Sequence, residues 1–366
     1  MSTGPFVSDA PGLEALLRIL EPHAVIAVDT EGDSLHSYYE KLCLVQVSVR
    51  GCDAVIDPLA GFSLEPLLRL LETRRVVIHG MDFDLRMLRR AGSFEPREVF
   101  DTVIAARLAG YKEFGLAALA RAEFAIELAK GPQKSNWARR PLDDRLLDYA
   151  RNDTRHLIPL AESLEKKLSA LSRVDWFRES CDRAQTGSRV VRERDPETIW
   201  RVAGSGALRG RCAAILRELW RWRDGEAQRI DRPTFHILQN SELITLAHAI
   251  DAGPWEVPSR LHGSRRRRFE EVVHAALALP ASEWPKVERR PRPEPIPDFD
   301  ARFESFKRTR DAAAHRLQLD PSLIAPRSAL EMLAASRDSG LMSWQNTLLG
   351  LPPSPPDNVP PECAGD

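Results

Sequence analysis

Cysteine is scarce in this chain. The five residues Cys43, Cys52, Cys181, Cys212 and Cys363 are odd in number, and no two have zinc-ligand spacing. A disulfide framework is therefore not expected, and a reducing, cytoplasmic setting is. Long hydrophobic runs are also missing: no stretch of about 18 consecutive apolar residues occurs, so no membrane span is expected. Residues 1–20 lack a basic start followed by a long apolar stretch, which speaks against a signal peptide. Nor is there a surplus of positive charge. The 52 Lys and Arg meet 53 Asp and Glu, leaving a net charge of −1. That sum gives no reason to expect a nucleic-acid partner.

The distribution of charge says more than the sum. Residues 1–183 hold 25 basic and 28 acidic side chains, whereas residues 197–290 hold 16 and 12. The acidic surplus and the basic surplus thus lie in different segments. On charge alone both are ordinary solvated surface. With 366 residues and 43% apolar content, two or three domains and at least one sizeable core are expected.

Leu13, Leu16, Leu17 and Leu20 mark an amphipathic first helix. "AVIAVDT", "KLCLVQVSV" and "DAVIDP" read as three strands in close succession, an antiparallel meander. A helix "LEPLLRLLE", a strand "RVVIH", a helix "DFDLRMLRRAG" and a short strand "REVFDT" follow. From 102 to about 172 the pattern is helical, broken by the loop "KGPQKSNWARRPL". Strands followed by strand–helix alternation predict an α/β fold, a mixed sheet flanked by helices. Residues 184–196 read as a polar linker, 289–300 as a Pro-rich spacer, and 352–366 as a tail too rich in proline to pack.

Four acidic residues carry most of the chemistry. Asp29 and Glu31 follow an apolar strand in "VIAVDTEGDSLH", and the period of two puts both on one face. Asp84 lies in "VVIHGMDFDLRML", at the start of a helix. Asp153 stands one helical turn after Tyr149 in "LLDYARNDTRHLIPL". Acidic groups just beyond buried elements are costly unless something cationic meets them. Four that converge imply two divalent metals, and two metals imply phosphodiester cleavage. Tyr149 could hold an attacking water; an ordinary phenol pKa of about 10 suits orientation better than general-base work. Taken singly, each residue has a plainer reading. Asp29 could be a turn residue and Glu31 surface charge. Asp84 could be a first-turn acid, with Asp82 as the cap. Tyr149 could be packing, and Asp153 could pair with Arg155 or Lys166.

The three stretches together resemble the exonuclease motifs of the DEDD superfamily, in the subtype with tyrosine in its third motif. "VDTEGD", "HGMDFDL" and "YARND" match in that order, and "KGPQKSNWARRPL" resembles the K-x-x-Q-x-S-x-W-x-x-R-P-L stretch of the ribonuclease D family. The likeness covers roughly residues 1–180. It implies a ribonuclease H-like fold and 3′→5′ exonuclease activity with two divalent ions, Mg²⁺ or Mn²⁺. Asp29, Glu31, Asp84 and Asp153 are then the metal ligands, and Tyr149 orients the water. Glu31, His79, Lys130, Gln133, Trp137 and Arg140 are the implied substrate contacts. Asn136 departs from the pattern, which often has Asp before the tryptophan.

Residues 207–285 resemble the HRDC module, a small helical nucleic-acid-binding domain, and 300–350 look like a degenerate second copy. The implied division is 1–183 exonuclease, 197–288 first HRDC domain and 301–351 second. The expected substrate is RNA with a single-stranded 3′ end, such as a tRNA precursor, and the expected product is nucleoside 5′-monophosphate. A DNA exonuclease with the same site and an inactive RNA-binding protein are the alternatives. Trp220, Trp222 and Phe235 are expected in a helix core rather than as base-stacking platforms. Arg265–Arg268 are expected in a solvated loop, available to phosphate.

Overall fold

A computed structural model of the protein describes residues 4–128, 131, 133–190, 195–286 and 296–353. Strands β1 (Phe6–Val7), β2 (Val25–Gly32), β3 (Leu42–Val49), β4 (Cys52–Ile56), β5 (Arg75–Ile78) and β6 (Glu98–Asp101) form one sheet in the order β1-β4-β3-β2-β5-β6. The sheet is mixed: β3 and β4 are antiparallel, while β1 runs parallel to β4, and β5 parallel to both β2 and β6. All eight residues of β3 are buried, as expected of a central strand covered on both faces.

Helices α1 (Ala10–Leu20), α2 (Glu65–Glu72), α3 (Met81–Ala91), α4 (Thr102–Leu108), α5 (Leu116–Phe124), α6 (Asp144–Arg155), α7 (Leu157–Ala170) and α8 (Val174–Gly187) flank this sheet. α1 buries Leu13, Leu16 and Leu20, an i, i+3, i+7 stripe. α8 continues through Gly187, so the polar stretch expected to begin as a linker at 184 is helical for its first turn.

The chain divides into two compact units. The first holds the sheet, α1–α8 and a C-terminal group, α13 (Phe299–Leu317), α14 (Pro321–Ile324), α15 (Arg327–Ala334) and α16 (Ser343–Leu348). The sequence reading set 301–351 apart as a domain of its own. Here Ala313, Ile324, Leu330, Leu341 and Trp344 join the same core as the sheet. Trp176 of α8 stacks on Trp344 with centroids 5.0 Å apart. Arg173 donates to the carbonyls of Leu108 and Leu317 at 2.6 and 2.7 Å, and Glu179 accepts from the Ser343 N–H at 2.7 Å. So short a helical group gains a core by packing on a larger one.

The second unit comprises α9 (Gly210–Arg229), α10 (Thr234–Ile237), α11 (Asn240–Ala252) and α12 (Gly263–Ala278), together with the β2–β3 connection Gly32–Lys41. Leu216, Leu219, Trp222, Leu243, Phe269 and Val273 form its core. Asp231 accepts from the N–H groups of Tyr38 and Tyr39 at 3.0 and 3.1 Å, which ties the connection to the end of α9. The aromatic trio expected in the core splits. Trp222 is buried and Trp220 half-buried, but Phe235 is 39% exposed. The arginine run is not a loop either. Arg265–Arg268 open α12, Arg265 and Arg268 bind Glu226, and Arg266 pairs with Glu270. Burial alone would raise the Glu226 pKa, but bonds from Arg268, Arg229 and Arg265 hold it at about 2.

Candidate active site

Strand β2 delivers the first two carboxylates. Ile26, Ala27 and Val28 are fully buried, and the strand reaches its polar end at Asp29. Alternation sends Asp29 and Glu31 to one side. Thr30, between them, is buried and donates its hydroxyl to Asp84 at 2.6 Å.

Asp84 comes from α3. Gly80, with φ 90°, makes the sharp turn from β5 into this helix, a conformation that glycine adopts without penalty. The cap is not Asp82, which pairs with Arg86 at 2.9 Å. Asp101 supplies it from β6, accepting from Gly80 and Met81 N–H at 3.2 and 2.8 Å. Asp101 also accepts from Val103 and Ile104, so one carboxylate satisfies orphan donors at the starts of both α3 and α4.

Helix α6 supplies Tyr149 and Asp153. Asp143 caps it by accepting from Leu146 N–H at 2.8 Å. Thr154 shares a 2.7 Å hydrogen bond with Ser48 of β3, and Arg155 donates to Asp53 of β4 at 2.7 Å. Arg155 is thus engaged with Asp53. The preceding turn places Tyr149 beside Trp137, ring centroids 6.1 Å apart and nearly parallel. Asp153 and Gln133 lie near enough to the Tyr149 hydroxyl for hydrogen bonding to lower the Asp153 and Tyr149 pKa values against burial.

Oxygens of Asp29, Glu31 and Asp153 lie within 4.8 Å of one another. Asp84 stands close enough for its charge to act on Asp29 and Glu31. Burial, then the charges of Asp84, Asp153 and Glu31, push the Asp29 pKa well up. Burial, then Asp153 and Asp84, push Glu31 to about 9. Asp84 and Asp153 rise to about 7, chiefly through burial, although Thr30 and Tyr149 oppose this with hydrogen bonds. Burial, followed by the Asp153 and Glu31 charges, also raises the Tyr149 pKa. Among the described residues, no ion pair neutralises these four carboxyls. Oxygen-only donors with this much unpaid charge fit hard divalent cations.

Asp29, Glu31, Tyr149 and Asp153 line a cavity of about 950 Å³, and Asp84 stands behind it. Phe83, 43% exposed, and Arg121 also face it, and the sequence reading named neither. Phe83 could have been flagged as an aromatic between two acids on an amphipathic helix. Thr30 carried no signal beyond its place between Asp29 and Glu31. Of the expected substrate contacts, His79 and Gln133 line the cavity. His79 shares a 2.8 Å bond with Thr102, and burial lowers its pKa against an opposing pull from Asp101. Trp137 is buried beneath Tyr149. Arg140 donates to Asp57 at 2.6 Å and to the carbonyls of Trp137 and Cys43 at 2.7 and 3.1 Å, so its guanidinium anchors the loop. Lys130 lies outside the described residues.

Sheet, helices and acidic cluster together define the class of 3′–5′ exonucleases, and residues 5–169 match the family described as 3′-5′ exonuclease. Residues 213–259 match the HRDC domain. Ribonuclease D of Pseudomonas paraeruginosa is 30% identical over 342 residues, covering 90% of this chain and 89% of that protein. Ribonuclease D of Jannaschia sp. is 31% identical over 345 residues, covering 89% and 88%. The chain belongs to the ribonuclease D family and is a 3′→5′ exoribonuclease that uses divalent metal. A crystal structure of a Bifidobacterium adolescentis protein shares the fold with TM-score 0.82 at 24% identity, covering 94% and 95% of the two chains. Escherichia coli RNase D, described as an exoribonuclease involved in structured RNA processing, shares it with TM-score 0.68 at 23% identity, covering 98% and 94%. No helix among the described residues is long and apolar enough to cross a membrane.

Proposed function

We propose that Asp29, Glu31, Asp84 and Asp153 hold two Mg²⁺ or Mn²⁺ ions, and that this site trims the 3′ ends of structured RNA such as tRNA precursors. The observation that carries this reading is the group of one buried and three half-buried carboxyls with no cationic partner among the described residues. When bound, the metals supply charge neutralisation for the attacking and leaving oxygens of the phosphodiester.

The chain's own side chains do the rest. Tyr149 stacks on Trp137, with Asp153 and Gln133 beside its hydroxyl. With Asp153 engaged by metal, that hydroxyl is free to orient the attacking water. A phenol, which ordinarily titrates near about 10, suits a donor and positioner better than a base. Glu31 lies where the terminal ribose hydroxyls arrive, and Phe83 offers the terminal base a face to stack on. Arg121 brings positive charge toward the backbone, and His79, neutral, offers a hydrogen bond. Arg140 serves the substrate indirectly, by fixing the loop that carries Trp137. Nucleoside 5′-monophosphate leaves. Cys43, Cys52, Cys181 and Cys212 are all free, which supports a reducing cytoplasmic setting.

The test is product analysis on labelled tRNA precursor and on matched RNA and DNA oligomers with either metal. The reading expects stepwise loss of 5′-monophosphates from RNA 3′ ends. Internal cuts, or 3′-phosphate products, would refute it.

A further inference from the structure

The second unit contains a cavity of about 600 Å³ that shares no lining residue with the acidic site and is unused by the chemistry above. That volume is in the range of small-ligand pockets. The β2–β3 connection forms one wall through Ser34, Ser37 and Tyr38, and the segment of Ile199, Arg201 and Val202, with α9, α10 and the start of α11, forms the others. We propose that this cavity binds a single unpaired nucleotide of the RNA, one other than the 3′-terminal residue, by stacking its base on Phe235 and Trp220. The proposal rests on the exoribonuclease reading for the identity of its ligand.

Three observations support it. First, the aromatic faces are presented, not buried. Phe235 sits on the single-turn helix α10 with 39% of its surface exposed, and Trp220 is half-buried on α9. An exposed aromatic beside polar groups is costly in water and well suited to a base, since every base has a π face. Second, the polar groups are pre-set. Arg223 donates to the Leu238 carbonyl and to Asn240 Oδ1 at 3.0 and 2.8 Å. This fixes the Asn240 amide with its NH₂ as the unengaged edge, a donor for a base carbonyl or ring nitrogen. Tyr38 donates to Asp224 at 3.0 Å and accepts from Gln228 at 2.9 Å, so the opposite wall is also held. Third, the charge is right. The lining includes Arg201, Arg223 and Asp224, one positive charge in surplus. Arg201 lies over the Trp200 ring at 4.4 Å and forms no ion pair among the described residues, which leaves its guanidinium for a phosphate. The whole wall is mixed, with no broad apolar patch of the kind a folded protein partner would cover.

The experiment compares wild type with Phe235→Ala and Arg201→Ala on two substrates, an unstructured RNA of about 25 nucleotides and a tetranucleotide too short to reach a second site; loss of one base stack corresponds to about 5- to 150-fold in affinity. The proposal expects KM for the long RNA to rise within that range in Phe235→Ala, with kcat unchanged and both constants for the tetranucleotide unchanged. Arg201→Ala should raise the same KM and flatten its salt dependence. A long RNA carrying one 5-iodouridine should photo-cross-link to the peptide containing Phe235. Variants that match wild type on both substrates, or that lose activity equally on both, overturn the pocket; so does cross-linking only outside the cavity. If wild type releases no mononucleotide from the tetranucleotide, the exonuclease reading fails instead, and the cross-link still decides the pocket.

Discussion

The hydroxyl of Thr30 donates to the carboxylate of Asp84 at 2.6 Å, in a buried setting. This bond joins the central strand that carries Asp29 and Glu31 to the helix that carries Asp84. It also opposes the effect of burial on Asp84 and favours the ionised form that the proposed metal site requires.

Thr30→Val removes that hydroxyl and keeps the shape. The metal concentration for half-maximal activity should rise about 10- to 100-fold, the usual cost of losing a hydrogen bond behind a ligand. Turnover at saturating metal should largely recover. A metal titration of activity checks this, and an unchanged midpoint would mean that Thr30 serves only packing.

Tyr149→Phe keeps the ring on Trp137 and deletes the hydroxyl that meets Asp153. Single-turnover rates at saturating Mg²⁺ should fall by about 10²–10³, comparable to losing one preorganised donor. A loss of less than about threefold would assign Tyr149 to packing alone.

Gly131 approaches the same ring. A Cβ at this position would lie 1.6 Å from Cε2 of Tyr149. Gly131→Ala should therefore displace the ring and reduce the rate by about 10- to 100-fold, as small misplacements of positioning groups do. In the double variant with Tyr149→Phe the two losses should fall well short of adding. Full additivity would place the effect of Gly131 elsewhere.

The raised carboxyl pKa values predict how metal-free stability depends on pH. Glu31 goes from the usual 4.5 to about 9 on folding, so the protonated form is favoured in the native state. Its stabilising contribution is complete below 4.5 and is lost as pH rises through 9. Asp84 and Asp153, raised from 3.8 to about 7, act in the same direction through that lower value. In EDTA, Tm should fall from pH 5 to pH 9 more steeply for wild type than for Glu31→Gln, which mimics the protonated acid. Added Mg²⁺ should raise Tm more at pH 8 than at pH 6. Parallel wild-type and variant curves would show that Glu31 is not under this strain.

The parts legible in the sequence were those with a short-range period. Alternation placed Asp29 and Glu31 on one face, and the four-residue step placed Tyr149 above Asp153. What escaped depended on partners far along the chain. Nothing local says that Leu341 and Trp344 join the core of the sheet, or that Arg140 is held by Asp57. Charge type alone could not separate a phosphate contact from an anchor. Arg265–Arg268 looked like a loop because the run itself lacks apolar spacing. The signal lay just beyond it, in Phe269, Val273 and Ala276, which step by four and three along α12.

The central claim is that the four clustered carboxyls exist to hold metal and that hydrolysis depends on it. The most direct measurement is release of nucleoside 5′-monophosphate from a short RNA by wild type and Asp29→Asn, followed through chelation and metal return. The account predicts no release in excess EDTA and full recovery of wild type with Mg²⁺ or Mn²⁺. For Asp29→Asn it predicts a loss of several orders of magnitude at any metal concentration, with the fold intact. Undiminished hydrolysis in excess chelator, or a near wild-type rate in Asp29→Asn, would contradict it.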